Sequence, residues 1–190
     1  MQRARVLLIS TPVISEQERF YIPDFEIPLN VCYLAAYLER VGVDTRILDM
    51  NVAEPGFSLE RYVSDMQPDI AGFSAYTPFI NTAHELALRL KAAAPGIKTV
   101  VGGYHASALP EETLAEFPSF DFLVRGEGEQ ALADLAAAAA DLNAARFDIP
   151  GLYYRDGNGN IAGGAFRNQV GDIDSLPFPA RHLLDQDKYR

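Results

Sequence analysis

Five short apolar, β-rich runs in the first 124 residues each give way to a segment of helical spacing, and this alternation constrains the fold more than any other feature. Residues 6–10 (VLLIS), 45–49 (TRILD), 70–74 (IAGFS), 99–101 (TVV) and 120–124 (FDFLV) read as strands. A helix is expected over 28–41, with Val31, Leu34, Ala35 and Leu38 on one face and Gly42 as its stop. Ser58 caps a second, which carries Leu59, Tyr62, Val63 and Met66. A third covers 80–94 and closes at Pro95-Gly96; a short one opens at Pro110-Glu111-Glu112; an Ala-rich one covers 129–140. Strands alternating with helices require right-handed crossovers, which place helices on both faces of a parallel sheet. The expected fold is therefore α/β: a flavodoxin-like (Rossmann-like), doubly wound, five-stranded parallel sheet of order 2-1-3-4-5. Ligands of such sheets sit beyond the carboxyl ends of the strands, here the loops after Ser10, Asp49, Ser74, Val101 and Val124.

Past residue 146 the alternation stops. Residues 151–155 and 161–162 flank Asp156-Gly157-Asn158-Gly159-Asn160, a strong hairpin turn. From Asn168 the chain is irregular and rich in proline through Pro177-Phe178-Pro179, with too few apolar residues to fold alone. The 190 residues suit one good core and are too few for two full-sized domains. The expected organisation is an α/β binding domain over 1–146, followed over 147–190 by a β-hairpin and an extended linker that packs along it and leads elsewhere.

Charge and cysteine content remove several function classes. Sixteen basic residues against 26 acidic give a net charge of −10, with no Lys/Arg cluster, which disfavours a nucleic-acid face. One cysteine, Cys32, cannot form an intrachain disulfide, a multi-cysteine metal site or an iron–sulfur cluster. Within Val31-Cys32-Tyr33-Leu34 it reads as a small buried hydrophobe. The opening residues lack a signal-peptide layout, and no apolar stretch approaches the roughly 20 residues that span a bilayer. A cytoplasmic protein without a membrane partner is expected.

Segments in order along the chain resemble the cobalamin (B12)-binding domain of B12-dependent radical SAM enzymes. They are Pro28-Leu29-Asn30-Val31-Cys32-Tyr33-Leu34, Ile47-Leu48-Asp49, Gly72-Phe73-Ser74-Ala75-Tyr76-Thr77, Val101-Gly102-Gly103-Tyr104-His105, and most clearly Val124-Arg125-Gly126-Glu127-Gly128-Glu129. Pro150-Gly151-Leu152-Tyr153-Tyr154-Arg155 and Asp172 through Arg181 continue the series. The resemblance implies a cobalamin cofactor whose nucleotide tail is buried beside the sheet. It places Ser74, Gly102 and Gly103 at that tail, since a strand end free of side chains lets a flat base approach the backbone. It sets Thr11, Pro12, Tyr76 and Thr77 at the ligand edge. Gly126 and Gly128 permit a tight strand-to-helix turn, and Glu127 and Glu129 could accept from corrin amides or merely favour a helix N-terminus. His105 is expected to bond a corrin amide or a carbonyl, not a metal. A leucine at Gly103 is expected to block the groove and leave the fold intact.

Asp49-Met50-Asn51 carries a departure. Many cobalamin proteins have Asp, a spacer and a cobalt-ligating His here, with Gly three residues later; this chain has Asn51 and Glu54. An amide is a poor cobalt ligand beside imidazole, so the resemblance implies cobalamin held with its own base detached and no His beneath the metal. The family's adjoining domain holds a 4Fe-4S cluster on three cysteines and cleaves S-adenosylmethionine. Neither that motif nor any catalytic residue is present in these 190 residues, so a radical SAM domain, on the same full-length chain or a partner chain, is expected to supply the reaction. The alternative is a flavodoxin-like binding or interaction module without cobalamin. A flavin carrier is disfavoured because the loop after Ser10 lacks a dense Ser/Thr/Gly run.

Overall fold

The computed structural model describes residues 4–12, 26–139, 147–163 and 172–189. The long loop through Pro23, the end of the Ala-rich run at Ala140 and the start of the tail at Asn168 lie outside the described residues.

Seven strands form one sheet: β1 (Arg5–Ser10), β2 (Asp44–Asp49), β3 (Ile70–Ser74), β4 (Lys98–Gly102), β5 (Phe122–Val124), β6 (Leu152–Arg155) and β7 (Ile161–Gly163). Their order is β2-β1-β3-β4-β5-β6-β7. The first five are parallel and follow the expected 2-1-3-4-5 arrangement. The hairpin does not stand apart: β6 pairs antiparallel with β5, Val124 opposite Leu152, and β7 completes the edge. β5 has only three residues, and β6 covers its free edge while Leu152 and Tyr154 enter the core. Asp156 Oδ1 accepts from the Asn158 and Asn160 amides, which closes the hairpin turn.

Helices α1 (Leu29–Arg40), α2 (Leu59–Met66), α3 (Ile80–Ala93), α4 (Tyr104–Ala108), α5 (Pro110–Glu116) and α6 (Glu129–Ala137) occupy the crossovers. α1 and α6 bury Cys32, Ala35, Leu38, Leu132 and Leu135 against one sheet face, with Leu8, Val100 and Val124. α2, α3 and α5 bury Val63, Leu86, Leu90 and Leu114 against the other, with Ile9, Phe73 and Val101. The sheet is doubly wound. Phe120, expected at the start of β5, precedes it and packs on Phe73 and Phe117, with ring centroids 5.9 and 6.4 Å away. α4 is a single turn that no periodicity announced.

The tail lies along α1. Ala180 N–H donates to the Cys32 carbonyl at 3.0 Å, and Arg40 Nη1 donates to the Ser175 carbonyl at 2.6 Å. Its far end reaches the end of β2, where Lys188 Nζ meets Glu54 at 2.6 Å and the Tyr189 hydroxyl donates to Asp49 Oδ2 at 2.8 Å. Among the described residues no helix is long and apolar enough to cross a membrane.

Candidate functional site

The parallel register lines up two rows of residues on the α1/α6 face: Leu8, Gly72 and Val100, then Ser10, Ser74 and Gly102. Strand side chains on one face recur every second residue, so β3 and β4 contribute Gly72, Ser74 and Gly102 where large residues would otherwise fill the space between sheet and helices. A cavity of about 980 Å³ results. Val31 and Leu34 of α1 form one wall, Gly128, Glu129 and Leu132 of α6 another, and Leu176, Pro177 and Phe178 of the tail border it. Tyr76 and Tyr104, both exposed, meet at its edge with centroids 5.5 Å apart and ring planes tilted by 35°.

Of the residues expected at the site, Ser74, Tyr76, Gly102, Gly103, Gly126, Glu127 and Gly128 line this cavity. The two adjacent glycines differ. A Cβ on Gly102 would have only the Val124 carbonyl nearby, at 3.7 Å, so its bareness leaves room in the cavity. Gly103 has φ +98°, and a Cβ there would lie 2.7 Å from the Ala75 carbonyl oxygen. Gly103 is demanded by the backbone, which overturns the expectation that a leucine there would spare the fold. Gly126 also has positive φ (+81°), and its N–H donates to Ser107 Oγ at 3.0 Å, fixing the turn into α6.

Thr11, Asp49 and Asn51 form a separate cluster beyond β1 and β2. Asp49 Oδ1 accepts from the Asn51 backbone N–H at 3.0 Å and from its side-chain amide at 2.8 Å. The same Asn51 amide reaches the Thr11 carbonyl at 3.5 Å, and Thr11 Oγ1 donates to the Ser74 carbonyl at 2.9 Å, tying the cluster to the cavity strand. Asp49 therefore bonds within its own loop, while Ser58 caps α2 by accepting from the Arg61 N–H. Burial and the Asp49 carboxylate raise the Tyr189 hydroxyl well above the ordinary phenol range. Pro12 follows Thr11 outside the cavity lining, and Met50 packs toward the α2/α3 core. His105 Nδ1 lies 3.3 Å from Thr77 Oγ1 and meets Phe117 edge-on, so this pair joins α4 to the turn before α3 and does not line the cavity. Cys32 is fully buried, and burial pushes its thiol up to about 11.

Asn30 and Gly72 also line the cavity and were given no role in the sequence, and Glu129, named there with Glu127, is placed differently from it. Asn30 Nδ2 donates to Ser74 Oγ at 2.7 Å, so the serine hydroxyl keeps its own proton to donate. Gly72 is a mid-strand glycine, a known mark of close approach. Glu129 is 8% exposed, and its Oε2 has no hydrogen-bond partner, whereas Glu127 is exposed. Desolvation pushes the Glu129 carboxyl above the usual range, and Glu127 adds to the rise.

Fold and cavity together define a cofactor-binding domain of the flavodoxin-like class, with its ligand space at the carboxyl ends of β3 and β4. The B12 binding domain family matches residues 22–136, and the chain belongs to that family. An uncharacterized methyltransferase of Pyrococcus horikoshii is 31% identical over 191 residues, covering 100% of this chain and 41% of the relative. The anaerobic magnesium-protoporphyrin IX monomethyl ester cyclase of Rubrivivax gelatinosus is 31% identical, covering 85% of this chain and 30% of its own. The chain thus spans well under half the length of these relatives. Among solved structures, the cobalamin-dependent S-adenosylmethionine radical enzyme OxsB, with aqua-cobalamin and S-adenosylmethionine bound, shares the fold. Its TM-score is 0.73 at 23% identity, over 94% of this chain and 24% of OxsB.

The residues present fit cobalamin. Gly72, Ser74 and Gly102 leave a floor on which a flat base can lie, and the buried, unpartnered Glu129 oxygen is the kind of group that a ligand satisfies.

Proposed function

We propose that this chain holds cobalamin as one domain of a radical SAM enzyme of methyltransferase or cyclase type, with the nucleotide tail between the sheet and α1/α6. The observation that carries this reading is the floor of Gly72, Ser74 and Gly102 beneath a cavity of about 980 Å³ in a B12 binding domain. Ser74, oriented by Asn30, donates toward the tail, and the Gly126–Gly128 turn borders the corrin side chains. Tyr76 and Tyr104 shield the cavity mouth from water.

Asn51 supports a cobalt without a protein imidazole beneath it. Its amide is engaged by Asp49 and Thr11, and the groove floored by Gly72, Ser74 and Gly102 would hold the cofactor's own base away from the metal when cobalamin is bound. When bound, cobalamin supplies a cobalt centre that carries a methyl group or an electron. The 4Fe-4S cluster and S-adenosylmethionine belong to a radical SAM domain, reached through residues 147–190 even though their hairpin extends the sheet. A reducing cytoplasm suits such a cluster.

Anaerobic incubation with hydroxocobalamin followed by desalting tests the reading. A retained red chromophore with a base-off spectrum is expected. A colourless protein fraction at micromolar concentration overturns it and favours a cobalamin-free module.

A further inference from the structure

Glu129 opens α6 at the cavity wall, and its burial has no account in the fold alone. Carboxylates favour the first turn of a helix, but that preference is met at the surface, as the exposed Glu111 and Glu112 of α5 show. Glu129 is instead 8% exposed, with Oε2 sealed from water and unpartnered. The backbone N–H of Glu129 serves one side of the carboxyl, but a buried Oε2 without a hydrogen bond remains costly. The helix phase explains how the group is held there. Tyr37 OH donates to Gln130 Oε1 at 2.5 Å, and Gln130 Nε2 donates to Asp134 at 2.7 Å. Gly128 lies so close to α1 that a Cβ would sit 3.0 Å from Leu34 Cδ2. The first turn of α6 is thereby locked against α1 with Glu129 on the cavity side.

We infer that Glu129 is a binding residue for the ligand, accepting a hydrogen bond from an uncharged donor on cobalamin, either a ribose hydroxyl of the nucleotide tail or a corrin amide N–H. This assignment rests on the cobalamin reading above. The rest of the wall agrees with it. The side chains of Leu34, Leu132 and Val124 offer no donor and the backbone N–H already serves the carboxyl, so the partner of Oε2 comes from the ligand. Rotation about the last side-chain bond presents either carboxyl oxygen to it.

The test titrates the 190-residue protein and its Glu129→Leu and Glu129→Gln variants with hydroxocobalamin and with cobinamide, which lacks the nucleotide tail. The melting temperature of each is measured without ligand. Glu129→Leu is expected to lose roughly 10- to 150-fold in cobalamin affinity, the worth of a hydrogen bond to a charged or polarised group. Its ligand-free melting temperature should equal or exceed that of the parent. Glu129→Gln keeps an acceptor oxygen and should retain most of the affinity. Loss confined to cobalamin assigns the donor to the tail hydroxyl, and equal loss with cobinamide assigns it to a ring amide. Parent-like binding by Glu129→Leu overturns the assignment. So does a loss of affinity matched by a fall in melting temperature in both variants, because that marks a structural role. Should the parent itself retain no cobalamin, the cofactor reading fails first and takes this assignment with it.

Discussion

Gly102 and Gly103 are neighbours with opposite reasons for being glycine, so substituting each separately should split stability from binding. In Gly103→Ala the new Cβ meets the Ala75 carbonyl oxygen at 2.7 Å and the Ala75 nitrogen at 3.1 Å, at φ +98°. Ala75 cannot step aside, because its N–H already donates to the Gly102 carbonyl at 3.0 Å. An unfavourable backbone conformation costs about 1–3 kcal/mol, and forced overlap adds about as much. A loss of about 2–5 kcal/mol is expected, a large share of a typical total of about 5–15 kcal/mol. In Gly102→Val the nearest atom to the new Cβ is the Val124 carbonyl oxygen at 3.7 Å, and valine suits a strand better than glycine by up to about 1 kcal/mol. That variant should be as stable as the parent. Its side chain, however, stands on the cavity floor beside Ser74, where overpacking of about 1–3 kcal/mol against a bound tail weakens affinity roughly 5- to 150-fold. Urea unfolding followed by circular dichroism reads stability, and titration with hydroxocobalamin reads binding. Parent affinity in a folded Gly102→Val protein would refute the floor assignment, and parent stability in Gly103→Ala would refute the steric one.

Three further outcomes follow from other contacts. Tyr189→Phe strips the donor from the buried Asp49 Oδ2 and should cost about 1–3 kcal/mol, with faster amide exchange confined to the tail; unchanged stability and exchange would show that the contact carries nothing. Asn51→Ala should leave the electron paramagnetic resonance spectrum of bound Co(II) cobalamin without axial nitrogen splitting, as in the parent, and a spectrum altered by the substitution would place Asn51 at the metal. Glu129 sets a pH dependence. Because burial raises its pKa, the folded state holds that proton more tightly than the unfolded chain; the stabilisation is full below the ordinary glutamate value of about 4.3 and is lost as pH rises through the raised native value. The stability of Glu129→Gln relative to the parent, both free of ligand, should therefore rise as pH climbs above the ordinary glutamate value, and parallel melting profiles would contradict it.

The parallel core was legible because each strand is a β-rich run with a clear stop, and because the crossover rule leaves few topologies. The pairing of the hairpin was not. Leu152 and Tyr154 alternate with half-buried Tyr153 and Arg155 as any hairpin would, and the choice of the β5 edge depends on that strand being three residues long in the folded sheet. Strand-end logic gathered the expected site residues at one edge but could not separate them. Asp49 and Asn51 sit beyond β2, two strands from β3, and so form their own network. His105 belongs to a one-turn helix whose direction is set by the positive φ of Gly103, which sequence spacing does not report. Glu129 and Glu127 were read as equals, although the burial of Glu129 was readable in principle. Glu129 shares a helical phase with Leu132, Ala133 and Ala136, all buried, whereas Glu127 does not.

The two faces of the sheet argue for a ligand independently of any relative. On the α3 side, Ile9, Phe73 and Val101 form an occupied row closed over by Phe117 and Phe120. On the α1/α6 side the same strands present Gly72, Ser74 and Gly102. Protein interiors are close-packed, and a dry void costs on the order of 24 cal/mol per Å³. The space of about 980 Å³ opens to solvent, so it is not held as a dry void. The space must be filled from outside the chain. Water could fill it, but water gains nothing from a floor without side chains and does not reach Glu129 Oε2. A flat, largely apolar group with a hydrogen-bond donor at the α6 end matches both features.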